Sequence, residues 1–281
     1  MNSPHYALVT GASSGIGKAI ATELANRKIN LLLVALPDKA LEKCAEEFRK
    51  INNIKVHTLP VDLTKENSPE QILVWCQQNQ FSVNILINNA GFGNLCSFQS
   101  TKPDIFRDMM ILNNQALICL THLFIPELKK NREGYIMNLG SMASFFSLPN
   151  KSIYSATKSF VFAFSSSLRL ELKPENIHVS CLCPGNTLTS ERVKANVEGI
   201  NYSGTFFTQH AEEVAQEAVR KMFNKKFKII TGWPNRMLYT FSILLPNKLI
   251  NYLMINIFGK KKKKNVSPLI PEVETFSMSG R

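Results

Sequence analysis

The chain has 281 residues, 44% of them apolar, and a formal net charge of +12. This apolar fraction lies near the globular average and excludes a wholly disordered chain, while a mean hydropathy of -0.06 excludes a polytopic membrane protein. The excess charge lies in residues 220–281, where 13 Lys and Arg face 2 Asp and Glu. The body is almost neutral, so we expect no nucleic-acid partner.

Short apolar runs alternate with helical patterns along most of the chain. Predicted strands cover residues 6–10, 31–35, 55–59, 83–88, 135–139, 178–183 and 228–230, and predicted helices cover 18–27, 39–50, 69–80, 104–129 and 152–172. Continuous apolar strands separated by helices predict an α/β fold, a doubly wound parallel sheet of about seven strands with helices on both faces. We divide the chain into a catalytic domain (1–233), an apolar helical extension (234–259) and a basic, disordered tail (260–281).

Three glycines, Gly11, Gly15 and Gly17, lie where the first predicted strand meets the first predicted helix. The first glycine permits a tight turn, the second lets the backbone approach a phosphate, and the third lets helix and strand pack closely. The free N–H groups and the positive end of the helix dipole then attract phosphate. The loop therefore predicts a dinucleotide-binding site.

Further motifs follow the glycine loop in order over residues 5–230. With Thr10 and two serines, the loop reads TGxxxGxG. Downstream lie an Asp-Leu pair, an Asn-Asn-Ala-Gly segment, a Ser, Tyr and Lys with spacings of 13 and 4 residues, and a Pro-Gly segment followed by two threonines. Together these motifs resemble the short-chain dehydrogenase/reductase family, which implies a Rossmann-type fold. The resemblance implies cofactor contacts by Gly11, Ser13, Ser14, Gly15, Ile16, Gly17, Asp62, Leu63, Asn89, Ala90, Gly91, Tyr154, Lys158, Pro184, Gly185, Thr187 and Thr189.

The catalytic candidates are Ser141, Tyr154, Lys158 and Asn113. Tyr154 and Lys158 are four residues apart on a predicted helix and share one face, so the ammonium is expected to lower the phenol pKa. The resemblance implies that Tyr154 is the general acid or base, that Lys158 also holds the nicotinamide ribose, and that Ser141 orients the substrate. It further implies that Asn113 holds a water in a proton relay, with Asn114 as the alternative alignment.

The end of the second strand selects between two nicotinamide cofactors. An acid there favours a ribose 2′-hydroxyl and repels a 2′-phosphate, but this chain places Leu36 at that point. We therefore favour NADP(H), to which Lys39 or a serine of the glycine loop would contribute. NAD(H) stays open, through Asp38, if the loop folds back.

Apolar residues flank the catalytic serine and the Asn-Asn-Ala-Gly segment and predict a bulky apolar carbonyl or alcohol substrate. They are Phe92, Leu95, Phe98, Phe145, Phe146 and Leu148. The motifs look like the branch that contains 3-ketoacyl-CoA and 17β-hydroxysteroid reductases and bacterial reductases of unknown substrate. Residues 189–209, the family's variable lid, indicate no particular ligand. The alternatives are a catalytically silent dinucleotide sensor or scaffold, which has no need of the catalytic set, and a nucleotide-sugar epimerase or dehydratase, which is generally longer.

Partners and location follow from the remaining features. The six cysteines form no CxxC pair, which predicts reduced thiols in the cytoplasm and no metal site, and the N-terminus lacks a secretory pattern. The family resemblance implies a homodimer or homotetramer through helices 104–129 and 152–172. Residues 237–258, with 15 apolar positions interrupted by Pro246 and Lys248, predict two short amphipathic helices. With Lys260 to Lys264 these helices would lie on an anionic membrane, or else pack on the body or a second subunit.

Overall fold

A seven-stranded parallel sheet forms the centre of the molecule. The computed structural model describes residues 5–93, 97–189 and 207–258. The strands of the sheet are β1 (His5–Thr10), β2 (Asn30–Ala35), β3 (Val56–Pro60), β4 (Ser82–Asn88), β5 (Gly134–Leu139), β6 (Ile177–Cys183) and β9 (Lys228–Ile230). The strand order is β3-β2-β1-β4-β5-β6-β9, and every neighbouring pair is parallel. This confirms the predicted doubly wound α/β sheet.

Helices cover both faces of the sheet. On one face, α1 (Gly15–Asn26), α2 (Lys39–Asn52) and α7 (Ala211–Phe223) bury a core that includes Leu24 and Val214. On the other, α3 (Ser68–Gln78), α5 (Ala116–Lys129) and α6 (Ser152–Leu172) bury a second core around Phe124. The strands are nearly continuous apolar runs because both of their faces are covered.

Two features depart from the sequence expectation. The helix predicted over 104–129 consists of α4 (Pro103–Met110), a π-helical turn (Ile111–Gln115) and then α5. The helix α7 was missed, as was a small sheet that pairs β7 (Asn186–Leu188) with β8 (Thr208–His210). Residues 190–206, the larger part of the variable lid, and residues 260–281, the tail, lie outside the described residues.

The C-terminal extension forms two short helices, α8 (Trp233–Leu244) and α9 (Asn247–Phe258). They are separated at Pro246, because proline disfavours the helical conformation of the residue before it. The inner face of α9 buries Ile250 and Met254 in a third core cluster with Phe146. Within the described residues, only Pro103–Lys129 is long and apolar enough to cross a membrane. The α5 part of that segment packs on the sheet through Phe124.

A buried polar network joins the strands that lead into the candidate site. Asn88, at the end of β4, donates to Thr121 Oγ1 and Asn138 Oδ1, both at 2.9 Å. Asn138 on β5 in turn donates to Ser165 Oγ on α6 at 2.9 Å. Buried polar groups are costly unless they are paired, so these bonds specify how α5 and α6 sit on the two strands. Because these strands are parallel, the carboxyl ends of β1, β4, β5 and β6 meet along one edge of the sheet.

Candidate active site

The glycine loop between β1 and α1 is as closely packed as the sequence predicts. Gly11 and Gly15 adopt positive φ angles of 64° and 55°, which favour glycine. A Cβ on Gly17 would lie 2.2 Å from the Gly11 carbonyl oxygen and 2.3 Å from Asn89 Nδ2. The loop thus folds onto the first turn of α1 and leaves a cradle that side chains would fill. This geometry fits a dinucleotide pyrophosphate.

The residues between these glycines contribute to the predicted phosphate site mainly through their backbone. Ser14 is the N-cap of α1 but makes no side-chain capping bond, so side chains leave the N–H groups of the first turn available. The Ser13 carbonyl accepts the Cys44 thiol at 3.4 Å. The Ile16 side chain belongs to the core. An anion is the ligand that such a helix start attracts.

Asn89 and Thr10 tie the glycine loop to the segment after β4. Asn89 Nδ2 donates to the carbonyls of Thr10 at 2.8 Å and Gly11 at 3.2 Å. Thr10 Oγ1 accepts from the N–H groups of Asn89 and Ala90, both at 3.0 Å, and donates to the Ile87 carbonyl. Two separate sequence motifs therefore form one rigid wall.

The segment after β6 lies over the glycine loop. A Cβ on Gly15 would lie 3.0 Å from Thr189 Cβ, which brings the two loops into contact. Thr187 Oγ1 donates to the Gly185 carbonyl at 3.2 Å, and the Pro184 carbonyl accepts from a backbone N–H that follows Ser141. These predicted cofactor residues therefore lie near one another.

Asp62 and Leu63 lie after β3, at the outer end of the same edge. Asp62 Oδ1 accepts from Thr64 N at 2.9 Å and Thr64 Oγ1 at 2.7 Å, and the Leu63 side chain is buried. The carboxylate orders its own loop. The cofactor contact that the resemblance implies for these residues stays a prediction.

The end of β2 carries no acidic side chain free to meet a ribose. Leu36 is half exposed, and Asp38 caps helix α2 by accepting the Leu41 N–H at 3.0 Å. A carboxylate held at a helix start is stabilised there by the helix dipole. The route by which Asp38 would favour NAD(H) therefore competes with this cap.

Ser141, Tyr154 and Lys158 converge beyond the end of β5. Ser141 lies after the strand and its Oγ accepts from Ala143 N at 3.1 Å. Tyr154 and Lys158 are on the first turns of α6, and Lys158 Nζ donates to the Leu139 carbonyl at 2.7 Å. A proton-transfer group, a hydrogen-bond donor and a cation are thus brought together.

The electrostatics correct one expectation. Burial raises the pKa of Tyr154, and a hydrogen bond with Ser141 offsets this rise only in part. Burial also lowers the pKa of Lys158 to about 8. Lys158 Nζ lies 5.9 Å from the centroid of the Tyr154 ring. The pKa of the phenol is therefore raised rather than lowered, because desolvation is the largest effect on it.

Asn113 lies in the π-helical turn and is 1% exposed. Its side chain accepts from Phe92 N and donates to Phe92 O, both at 3.0 Å, and donates to Thr157 Oγ1 at 3.1 Å. A Cβ on Gly91 would lie 2.7 Å from Asn113 Oδ1. Asn114 instead donates to the Thr157 carbonyl, so Asn113 is the residue that faces the segment after β4.

Sequence reasoning missed Gly93. A Cβ at this position would lie 2.6 Å from both Cδ2 and Cε2 of Tyr154. The backbone therefore rests against the phenol ring, and only a glycine leaves the ring in place. The recurrence of glycine two residues after Gly91 was the available signal.

The apolar residues named as pocket candidates divide into two groups. Phe146 is buried in the third core cluster, with Phe145 and Leu148 packed against it. Phe98 is 62% exposed and stacks on Phe106 at 5.4 Å, and Phe92 is held by Asn113. Leu95 lies outside the described residues. The wall after Ser141 is thus apolar and continuous with the core.

No group of three or more His, Cys, Asp or Glu side chains in the described ranges could hold a metal ion. The five cysteines found there are all free thiols. Cys181 and Cys183 are buried on β6 with their sulfur atoms 3.7 Å apart. Burial raises the pKa of Cys183 well above its usual range, so this thiol stays protonated beside the site.

Both the sequence and the fold of this chain are similar to those of known dehydrogenases and reductases. The short chain dehydrogenase family model matches residues 5–199. The very-long-chain 3-oxoacyl-CoA reductase of Vanderwaltozyma polyspora is 27% identical over 89% of this chain and 75% of that protein. Human 17-beta-hydroxysteroid dehydrogenase type 3 is 30% identical over 76% of this chain and 67% of that protein. Other very-long-chain 3-oxoacyl-CoA reductases match over about half of their length.

Several of the similar solved structures contain NADPH or NADP, and one of them is similar over nearly the whole chain. It is a short-chain dehydrogenase from Sphingobium yanoikuyae in complex with NADPH, which matches with a TM-score of 0.74 and 26% identity. The match covers 94% of this chain and 99% of that chain.

Proposed function

The chain belongs to the short-chain dehydrogenase/reductase family, and from that premise we propose that it is an NADPH-dependent reductase of a bulky apolar ketone. The reverse oxidation of the alcohol uses the same site. The observation that carries the proposal is the convergence of Ser141, Tyr154 and Lys158 beside an open glycine loop. The alternative, a silent dinucleotide sensor, has no need of this catalytic set.

The reduction needs a proton for the carbonyl oxygen and a group that polarises it. When bound, the nicotinamide cofactor supplies the hydride for the carbonyl carbon. Tyr154 donates its phenolic proton to the oxygen, and its raised pKa keeps that proton in place at neutral pH. Ser141 donates a hydrogen bond to the same oxygen and stabilises the charge that develops on it.

Lys158 and Asn113 complete the set. The family implies that Lys158 Nζ holds the nicotinamide ribose and returns a proton toward Tyr154. With a pKa of about 8, the ammonium loses and regains its proton readily near neutrality. Asn113 fixes the backbone around Phe92 and, in the family, helps hold the water of the proton relay.

The cofactor preference rests on the end of β2. Leu36 offers no negative charge against a 2′-phosphate, and Asp38 is engaged as the cap of α2. The similar structure from Sphingobium yanoikuyae, which holds NADPH, supports the same assignment. We therefore propose NADP(H) as the preferred cofactor, with NAD(H) as the weaker one.

The substrate class rests on the walls of the site and on the relatives. The segment after Ser141 presents Phe145, Phe146 and Leu148, which are continuous with the apolar core. The names of two relatives specify very-long-chain 3-oxoacyl-CoA and a 17-beta-hydroxysteroid, both with large apolar parts. A bulky, lipid-like ketone is the substrate that this site fits best.

A reductase screen tests the proposal. The purified protein is mixed with NADPH and with ketones of increasing chain length and ring number, and NADPH oxidation is followed by absorbance. We expect turnover that rises with apolar size, is slower with NADH, and is lost in Tyr154→Phe. Tight NADPH binding with no ketone of the series reduced would favour the sensor instead.

The same proposal includes a homodimer or homotetramer. The outer face of α4, α5 and α6 carries an apolar groove of about 360 Å³ lined by Met110, Ile118 and Phe160, which are all partly exposed. An exposed apolar face of this kind favours association with a second copy, and a two-fold dimer is the commonest such assembly. Sedimentation velocity, with Phe160→Glu as the disrupting variant, tests the assembly. We also propose a cytoplasmic protein in reversible membrane contact through residues 234–264.

A further inference from the structure

Exposed apolar side chains are concentrated on the two C-terminal helices. Of the 15 large hydrophobic residues that are exposed in the described ranges, eight lie on α8 and α9, a segment of 26 residues. They are Trp233, Met237, Phe241, Ile243, Leu244, Leu249, Tyr252 and Ile255. Such a concentration on a soluble surface marks an interaction site rather than ordinary scatter.

The pattern along each helix separates a packed face from an outer face. On α8, Asn235 is buried while Met237, Phe241 and Leu244 recur at helical spacing on the outside. On α9, Ile250 and Met254 pack into the third core cluster. The outer positions Leu249, Tyr252 and Ile255, three residues apart, form a second exposed apolar stripe. The fold therefore uses the inner faces and leaves the outer faces uncovered by the described residues.

The charge of this segment favours one kind of partner. Residues 233–264 contain no Asp or Glu and seven Lys and Arg, five of them in the run Lys260 to Lys264. Arg236 is paired with Glu217, while Lys248 on α9 is exposed. Apolar faces accompanied by a cationic run complement the surface of an anionic bilayer.

The helices are too short to cross a membrane. Each has 12 residues and spans about 18 Å at 1.5 Å per residue, against a hydrocarbon core of about 30 Å. The break at Pro246 prevents one continuous span. Contact with a bilayer must therefore be lateral, at the interface.

The same helices pack against the walls of the candidate site. The Tyr239 ring on α8 lies 4.6 Å from that of Phe145, which follows Ser141. A Cβ on Gly185 would meet the Asn235 side chain at 2.4 Å, so α8 also supports the segment after β6. A lipid-like substrate dissolved in a bilayer under α8 and α9 would lie beside these walls of the candidate site.

We propose that the outer faces of α8 and α9 form a docking surface for an anionic lipid bilayer that presents the ketone to the active site, and that the charge of Lys260 to Lys264, the run that follows α9 in the sequence, strengthens the attraction to that bilayer. The presentation of substrate rests on the proposed function; the docking does not. The surface carries the enzyme onto the membrane without spanning it.

Vesicle sedimentation of the full chain tests the docking. Vesicles of phosphatidylcholine alone are compared with vesicles containing 30% phosphatidylserine, at low and high salt. We expect binding to the anionic vesicles that weakens with salt, and a loss of at least roughly tenfold when Lys260 to Lys264 are replaced by glutamine. Phe241→Ser and Ile255→Ser should also weaken binding. Val74→Ser, which removes an exposed apolar side chain from α3, is the matched control and should not.

Two results would overturn the docking. One is equal sedimentation with and without anionic lipid for the wild-type chain. The other is a change of oligomeric state in Phe241→Ser with no vesicle binding by the wild type, which would make a second copy the occupant. NADPH-dependent reduction of a water-soluble ketone, assayed in the same variants, should stay unchanged. Docking without reductase activity would contradict the proposed function alone, and activity without docking would contradict the docking alone.

Discussion

Replacing Gly17 by alanine tests whether the close packing of the glycine loop outweighs the higher helix propensity of alanine. Gly17 lies inside α1 with a helical backbone, so propensity alone predicts that alanine stabilises the protein by about 1 kcal/mol. In the structure the new Cβ would lie 2.2 Å from the Gly11 carbonyl oxygen and 2.3 Å from Asn89 Nδ2. Normal contacts are about 3.5 Å, so the backbone must move by about 1 Å.

Such overpacking costs roughly 1–3 kcal/mol, which exceeds the gain from propensity. We therefore expect Gly17→Ala to lower the free energy of unfolding in urea and to weaken NADPH binding at least about tenfold by calorimetry. Gly134→Ala is the control, because its Cβ would lie 3.2 Å from Ile177 Cγ1 and 3.3 Å from Leu128 Cβ, and its nearest backbone neighbour, the Leu128 carbonyl oxygen, would be at 3.6 Å. A Gly17→Ala protein that is more stable than wild type and binds NADPH normally would refute the packing described here.

Three further predictions address cofactor choice, acid stability and the position of the phenol. Leu36→Asp should change the ratio of the dissociation constants of NADPH and NADH in favour of NADH. An unchanged ratio would mean that the end of β2 does not select the cofactor. Glu133, whose pKa is lowered to about 2 chiefly by Lys225, stabilises the fold above pH 4.5 and loses that contribution as pH falls toward 2. Glu133→Gln should therefore lower the free energy of unfolding by about 1 kcal/mol at pH 7, after discounting for solvent exposure. The difference in melting temperature between this variant and the wild type should shrink at low pH. A difference that is the same at every pH would contradict the ion pair. Gly93→Ala should displace the Tyr154 ring and lower kcat with unchanged NADPH affinity, and normal kcat would contradict that contact.

Most of the sheet could be predicted because its strands are buried on both faces. Leu31 to Ala35, for example, form one uninterrupted apolar run between helical patterns. The catalytic pair was equally accessible, since Tyr154 and Lys158 are separated by one helical turn. The sheet and the catalytic residues come together at the edge where the parallel strands end. The alternation of strands and helices along the sequence already predicts that edge.

Tertiary packing accounts for what the sequence left undetermined. The π-helical turn at Ile111–Gln115 interrupts an apolar pattern that reads as one helix, and it is held by bonds from Asn113 to Phe92, 21 residues away. The raised pKa of Tyr154 depends on burial, which no local pattern contains. The helix α7 is different, because the buried spacing of Val214, Ala215, Ala218 and Val219 was visible and was missed.

Turnover by Tyr154→Phe decides whether the phenol is the proton donor to the ketone. The substitution keeps the ring and removes the hydroxyl, so NADPH affinity and the free energy of unfolding should stay near those of wild type. Tyr6→Phe, at a buried tyrosine on β1, is the matched control and should keep normal turnover. We expect kcat for ketone reduction by Tyr154→Phe to fall by at least roughly 10²–10⁴-fold. Near-normal kcat in that variant would mean that the phenol donates no proton, and would contradict the proposed chemistry.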